Sequence, residues 1–336
     1  MQTLKRKEFR MSKVTIAGKY PEEAYSLLKN ALSDKFELEY ITDQEELNRT
    51  SDLEYVILRT LKIDKDIIMN NETLKLIQRW GAGYDTVDIR EAAKRNIPVT
   101  VANGINSCAV AEHTILLILA LYRHLVQLNN KVKAGVWDRT TYASNSYTIN
   151  GKKIGLIGLG AIGKMVALKT QALGAEVAYY DLYRLDKEQE NSLNVKFLEL
   201  DELLKISDIV SIHLPLTDDT VDLIARRELD MMKKDAVIVN TSRGGIIKEN
   251  DLEDALLTGN ILGAGLDSFE KEPYPRDGRF NGIDNIIMTP HVGGTVADLV
   301  KPMAEKVVDN IMRVYENKGL NKRDYVNYKD CSYPAD

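Results

Sequence analysis

The chain is poor in several things. Only two of its 336 residues are cysteine, Cys108 and Cys331. They make no disulfide framework, no C-x-x-C and no zinc spacing, as expected of a reduced cytoplasmic protein without a metal site. There is no basic excess: 45 Lys and Arg stand against 50 Asp and Glu, a formal net charge of -5. That balance disfavours nucleic acid and anionic membrane as partners. No apolar run approaches the ~20 residues of a membrane span. The most apolar helical stretch, 115–122, is bounded by Glu112, His113 and Arg123. Lys5, Arg6, Lys7 and Arg10 crowd the start, but no apolar segment follows them, so a secretory signal is not supported. Internal repeats and low-complexity tracts are absent. Histidine numbers four, which narrows any search for an acid–base residue.

What is present suffices for a large core, since 44% of residues are hydrophobic and 28% charged, and the length suits two domains. From Ser12 to Asn103 short apolar stretches alternate with amphipathic ones. Strands are expected at 14–17, 36–41, 55–58, 74–78 and 99–101, and helices at 21–32, after Asp43, at 65–70 and at 87–96. This is a five-stranded α/β unit. A helix at 109–126 leads into a second alternation, with strands at 153–157, 176–180, 209–213, 236–240, 263–266 and 286–289. A last helix, 297–316, is long enough to return to the first unit. The chain therefore reads as α/β, with a discontinuous domain of residues 1–105 and 296–336 interrupted by a domain of residues 106–295.

The second domain opens on residues 152–181, KKIGLIGLGAIGKMVALKTQALGAEVAYYD. A short apolar strand runs into Gly158, Gly160 and Gly163 in G-x-G-x-x-G spacing. Ile162, Val166, Thr170 and Leu173 then recur at helical intervals, and a second strand ends at Asp181. Strand, glycine loop, helix, strand and acid in this order form the dinucleotide-binding fingerprint. Gly158 permits the turn, Gly160 lets backbone approach a pyrophosphate, and Gly163 lets the helix lie close to the strand. The N–H groups of the first helical turn, at Ala161, Ile162 and Gly163, face the phosphates. Asp181 accepts from ribose hydroxyls and repels a 2′-phosphate, which favours NAD over NADP; Arg184 nearby is a contrary hint.

A nicotinamide enzyme needs a proton donor and acceptor near neutral pH, most often histidine. His113 and His124 share one helix and read as packing or surface residues. His213 ends a strand before Leu214 and Pro215 and is placed to line a cofactor groove. His291 follows a strand and Pro290 and precedes Gly293-Gly294, so it projects from a strand's carboxyl end, where open sheets bind ligands; catalytic and structural roles are both open to it. Arg243 lies just past the apolar strand ending at Asn240, and is readable as a clamp on a substrate carboxylate or as a surface ion pair. Asp267 and Glu272 follow the next strand, and Glu272 is placed to orient a histidine and stabilise its protonated form. Arg, Glu and His thus arise from three successive strand ends.

The fingerprint, NTSRGG at 240–245, LDSFEKEP at 266–273 and TPHVGG at 289–294 together resemble the D-isomer-specific 2-hydroxyacid dehydrogenase family, and GAGYDTVD at 81–88 resembles its substrate loop. The resemblance spans about 12–316. It implies a Rossmann NAD-binding domain set within a discontinuous flavodoxin-like substrate domain, a homodimer joined through the cofactor domains, and reversible hydride transfer between NADH and a 2-oxo acid. By the same resemblance His291 is the acid/base, Glu272 its partner and Arg243 the substrate clamp, while N–H groups at Ala82 and Gly83 hold the substrate carboxylate. Asp267 meets the nicotinamide carboxamide, and His213, Leu214, Pro215, Thr241, Ser242, Gly293 and Gly294 border the cofactor. Arg59 and Arg79 stand near the substrate loop and are readable as a phosphate site, as a short phosphoglycerate dehydrogenase requires, or as surface charges. Corepressors that bind NAD without physiological turnover share the pattern and form a non-enzymatic alternative.

Overall fold

The computed structural model describes residues 11–336, so the basic cluster Lys5, Arg6, Lys7 and Arg10 lies outside the described residues. The chain divides into two compact units: one ends at Asn106 and resumes at Ala297–Asp336, and the other is Ser107–Val296.

In the first unit the order is β1 (Ser12–Ala17), α1 (Glu22–Leu32), β2 (Phe36–Ile41), α2 (Gln44–Arg49), β3 (Tyr55–Leu58), α3 (Lys65–Asn70), β4 (Leu76–Arg79), α4 (Ile89–Lys94) and β5 (Val99–Thr100). All pairs are parallel, in the order β2-β1-β3-β4-β5, the flavodoxin-like arrangement. Both faces of the sheet are covered, so β3 is buried along its whole length and reads YVIL without alternation. Aspartates begin three of the helices: Asp43, Asp64 and Asp88 accept from first-turn N–H groups of α2, α3 and α4. The expected strand at 74–78 starts two residues later, at Leu76, because Leu74 still closes a turn by donating to the Asn71 carbonyl.

The second unit runs α5 (Ser107–Tyr122), α6 (Leu125–Lys133), β6 (Lys153–Ile157), α7 (Ala161–Ala172), β7 (Glu176–Tyr180), α8 (Lys187–Ser192), β8 (Lys196–Phe197), α9 (Leu200–Ile206), β9 (Ile209–Ile212), α10 (Arg226–Met231), β10 (Val237–Asn240), α11 (Glu249–Leu257), β11 (Gly263–Leu266) and β12 (Ile286–Met288). Its seven parallel strands lie in the order β12-β11-β10-β9-β6-β7-β8. Counted within the unit, this is the Rossmann order with one further strand beyond it, and the direction of winding reverses between β6 and β9. One apolar cluster fills each face, the first including Val210, Ile238 and Ala264 and the second Leu117, Leu156 and Val239.

The helix expected at 109–126 is in fact two. It breaks after Tyr122, where His124 adopts φ 47°, and α5 and α6 meet at 62°. Hydropathy continues through Leu125 and Val126 and hides the break, yet both side chains are exposed. His124 is held by Tyr142, stacked at 4.3 Å, and by the Asn145 carbonyl, to which Nε2 donates at 3.1 Å. Among the described residues no single helix is long and apolar enough to cross a membrane.

The returning helix α12 (Val300–Tyr315) belongs to the first unit. Ala304, Val307, Ile311 and Val314 recur at helical spacing and are buried with Val14, Leu28 and Leu76. Inside that apolar contact lies one polar link: Gln78 Oε1 accepts from Asn310 Nδ2 at 2.9 Å and from Thr100 Oγ1 at 2.5 Å, while Asn310 Oδ1 is buried with no hydrogen-bond partner among the described residues.

Candidate active site

The dinucleotide cradle forms where β6 meets α7. Gly158 has φ 98°, a conformation that favours glycine, and a Cβ there would lie 2.8 Å from the His213 carbonyl oxygen. At Gly163 a Cβ would lie 2.3 Å from the Gly158 carbonyl oxygen, so helix and loop touch backbone to backbone. Gly160 differs, because a Cβ there would meet nothing within 4 Å. The space before α7 is open, and Gly160 supplies no side-chain cap, which leaves the first-turn N–H groups of Ala161, Ile162 and Gly163 for an anion. Asp181, at the end of β7, accepts from Leu159 N–H at 2.8 Å and Tyr183 N–H at 3.0 Å. Each of its oxygens retains acceptor capacity. Arg184 is turned away from a ligand role: it bonds the buried Glu190 at 3.0 Å and lies 4.7 Å over the Phe197 ring.

Opposite the glycine loop, His213 directly follows β9, with Leu214 against Gly158 and Pro215 beyond. Ser211 Oγ lies 2.9 Å from His213 Nε2, while Nδ1 is enclosed with no hydrogen-bond partner among the described residues. Burial holds this imidazole down to about 3, so it is neutral at physiological pH. A glycine cradle closed at Gly158 and Gly163 but open at Gly160, free helix N–H groups and an orphaned nitrogen fit a dinucleotide.

Three further strand ends present the arginine, the two carboxylates and the histidine expected from the sequence. Past β10, Asn240 organises the turn: its Oδ1 accepts from Ser242 N and Oγ at 3.0 and 2.7 Å, and its Nδ2 donates to the Arg243 carbonyl at 2.7 Å. Thr241 is buried with its hydroxyl 2.8 Å from that of Thr114 on α5. Arg243 is half-buried, with Nη1 donating to the Ser242 carbonyl at 2.7 Å. Past β11, Asp267 is buried and serves the last loop. It accepts from Thr289 Oγ1 at 2.6 Å, Val292 N–H at 2.9 Å and Gly293 N–H at 2.8 Å. One oxygen has taken two of these three bonds, so the other keeps room for a single further donor.

Past β12, His291 sits at φ 53° with its N–H on the Thr289 carbonyl at 3.0 Å. Its Nδ1 lies 2.9 and 3.1 Å from the two Glu272 oxygens. An ionised carboxylate only accepts, so Nδ1 carries the hydrogen and Nε2 is the ring nitrogen left for other partners. Burial pushes the Glu272 carboxyl up, but the His291 hydrogen bond and charge, the Phe269 N–H and the Arg243 charge together outweigh it and hold it below the ordinary carboxylate value. Arginine, carboxylate and histidine thus interact within one unit.

In the first unit, Arg79 at the end of β4 donates to the carbonyls of Gly83 (2.8 Å), Leu58 (3.1 Å) and Arg59 (3.0 Å), so it shapes the loop bearing Ala82 and Gly83. Arg59 donates to the Lys19 carbonyl and lies 5.8 Å over the Tyr20 ring. Spacing did not reveal the part played by His113. Its Nε2 meets Thr289 Oγ1 at 2.9 Å and comes within 3.5 Å of Asp267, which ties α5 to the loop that presents His291. Residues so far apart in the chain share no local period that would betray the contact.

Residues 115–293 match the family described as D-isomer specific 2-hydroxyacid dehydrogenase, NAD binding domain. The chain is 36% identical over 312 residues to a glyoxylate reductase of Pyrococcus horikoshii, covering 89% of this chain and 92% of that one. It is 35% identical over 318 residues to a D-3-phosphoglycerate dehydrogenase of Archaeoglobus fulgidus, spanning 94% of this chain but only 59% of that one. Among solved structures it resembles an NAD-dependent formate dehydrogenase from Staphylococcus aureus in complex with NAD, at a TM-score of 0.85 and 26% identity over 94% of this chain and 98% of that one. The fold, the cradle and these matches together show that the chain belongs to the D-isomer-specific 2-hydroxyacid dehydrogenases and is an NAD-dependent oxidoreductase of that family.

Proposed function

We propose that the protein reduces a small, unphosphorylated 2-oxo acid such as glyoxylate to the 2-hydroxy acid, with His291 as the proton donor. The observation that carries this reading is the double contact of His291 Nδ1 with Glu272, which dedicates Nε2 to the reacting oxygen. NADH supplies the hydride. Arg243 pairs with the substrate carboxylate and polarises the adjacent carbonyl, and the N–H groups at Ala82 and Gly83 keep the carboxylate-binding role that their loop's resemblance to the family's substrate loop implies. Protonated His291 delivers its Nε2 proton to the oxygen as charge develops there, and the Glu272 carboxylate stabilises the imidazolium until it does. The remaining acceptor site of Asp267 suits a carboxamide N–H, and Asp181 suits the ribose hydroxyls. Thr241, Ser242, Gly293 and Gly294 complete the cofactor-facing backbone.

Support for glyoxylate comes from the activity named for the Pyrococcus relative. A phosphorylated substrate is disfavoured because Arg79 directs its guanidinium to three backbone carbonyls and Arg59 directs its own to another. We further propose a homodimer joined through the second unit, where α5 and α7 pack together and leave Leu116, Leu119, Met165 and Leu168 exposed. Two free cysteines suit a reduced, cytoplasmic setting.

The test is steady-state NADH oxidation with glyoxylate, hydroxypyruvate, pyruvate and 3-phosphohydroxypyruvate. Glyoxylate or another unphosphorylated acid should lead, and His291→Ala should lose about 10²–10⁴-fold in kcat while NADH binding, followed by fluorescence, is kept. A lead for the phosphorylated acid would reassign the substrate. NADH binding without turnover on any of the four would instead favour an NAD-sensing binding protein.

A further inference from the structure

The peptide that precedes Glu272 is gripped from both sides. On one side stands Glu249, the first residue of α11, buried at 7% exposure. Its Oε1 accepts from Glu270 N–H at 2.7 Å, and Glu270 Oε1 accepts from Glu249 N–H at 2.9 Å. Two residues twenty-one apart in the chain therefore exchange one hydrogen bond each way. The helix needs this, because Lys248 at its N-cap offers no side-chain acceptor and Glu270 satisfies one of the open first-turn donors from outside. On the other side stands Gly244, next to Arg243. A Cβ there would fall 1.9 Å from both the carbonyl carbon and oxygen of Phe269 and 2.5 Å from Glu270 N, so the two backbones are in direct contact.

The gripped peptide in turn holds the acid–base pair. Phe269 N–H donates to Glu272 Oε1 at 3.0 Å, and the same oxygen lies 3.1 Å from His291 Nδ1. A continuous path runs from the start of α11 through Glu270 and Phe269 to Glu272 and His291. The grip is costly in charge, since two carboxylates face one another: burial first, and then the Glu270 charge, push the Glu249 carboxyl up, with Arg279 Nε 3.7 Å away in partial compensation. A helix start can be capped more simply by a serine or aspartate of its own. What the exchange adds is a fixed distance between α11 and the loop bearing Glu272.

We propose that Glu249 and Glu270 are positioning residues: their reciprocal bonds aim Glu272 at His291 and keep it in register with Arg243. This rests on the acid–base reading above, and adds to it two residues that touch no substrate. The exchange requires an acceptor oxygen at the end of a three-carbon side chain, and it does not require a negative charge at position 270.

The experiment compares Glu270→Ala, Glu270→Asp and Glu270→Gln. Each is measured for kcat and KM with glyoxylate, for NADH affinity, for thermal midpoint, and for the His291 imidazole titration by NMR on the protein without cofactor. Glu270→Ala and the shortened Glu270→Asp should lower kcat about tenfold, as expected for a misplacement well below a full side chain, with KM and NADH affinity held within about twofold. In both, the His291 titration should move to lower pH, towards that of Glu272→Gln. Glu270→Gln, which keeps the Oε1 acceptor, should restore kcat and the titration together. A wild-type titration and kcat in Glu270→Asp, or a Glu270→Gln as impaired as the alanine variant, would overturn the proposal. The NMR titration reports on the clamp even if His291→Ala proves active, so failure of the clamp and failure of the acid assignment are separable.

Discussion

At Arg243 charge and shape make different predictions. Its backbone is fixed by Asn240 and its Nη1 is engaged with the Ser242 carbonyl, so the fork is pre-oriented before any substrate arrives. Arg243→Lys keeps the positive charge beside Glu272 but loses the planar pair of donors that matches a carboxylate. We expect KM for the 2-oxo acid to rise and kcat to fall, by at least about tenfold in kcat/KM, with an unchanged thermal midpoint. Near-normal kinetics would return Arg243 to a structural role. Glu272 is a complementary case, because Glu272→Gln preserves the hydrogen bond to Nδ1 and removes only the charge that favours imidazolium. With His291 in the proposed role of proton donor, reduction draws on the protonated ring, so the activity limb should move to lower pH while turnover below it partly survives. A kcat/KM profile superimposable on the wild type would show that the carboxylate charge is idle.

At the scale of elements, the cradle shows what local sequence can and cannot convey. The strand, glycine loop, helix, strand and acid of 153–181 were legible because each obeys a short-range rule: an apolar run for β6, glycine where φ is positive or backbones touch, a helical period for α7. Strands β9, β10 and β11 were equally legible as short runs that are mostly apolar, interrupted only by Ser211 in β9 and closed by Asn240 in β10. The break at His124 was not, since apolar spacing continued across it. Nor were the contacts of His113 with Thr289 and of Glu249 with Glu270, which join segments whose nearness only the sheet order creates. Asp181 belongs to the legible set and supplies a prediction. Its oxygens each hold one loop N–H and leave capacity for ribose hydroxyls, and Arg184, engaged with Glu190, offers no 2′-phosphate site. NADH should be preferred over NADPH, and Asp181→Ala should narrow the gap chiefly through cofactor KM. Equal kcat/KM for the two cofactors in the unmutated protein would contradict this.

For the whole molecule the question is which group begins acid unfolding. His213 is the candidate, because burial holds it down to about 3 from an ordinary value of 6.5, and its Nδ1 has no hydrogen-bond partner among the described residues. The sign follows from proton uptake. Above pH 6.5 the ring is neutral in both folded and unfolded chains, and pH has no effect through it. As pH falls from 6.5 towards 3, the unfolded chain binds a proton that the folded chain refuses, so stability is lost continuously across that window. The paired carboxylates act later: Glu190, drawn down from 4.5 to about 2 by Arg184 and Lys187, contributes stability that survives until the pH falls below 4.5. Two stages are therefore expected in the thermal midpoint of the cofactor-free protein, a first decline between pH 6.5 and 4.5 due to His213 and a steeper one beneath it as carboxylates protonate. His213→Gln keeps a polar side chain near Ser211 without a group that titrates, so it should flatten the first decline and leave the second in place. Calorimetry at half-unit steps of pH decides the matter. An undiminished first decline in His213→Gln would mean that another group starts the unfolding.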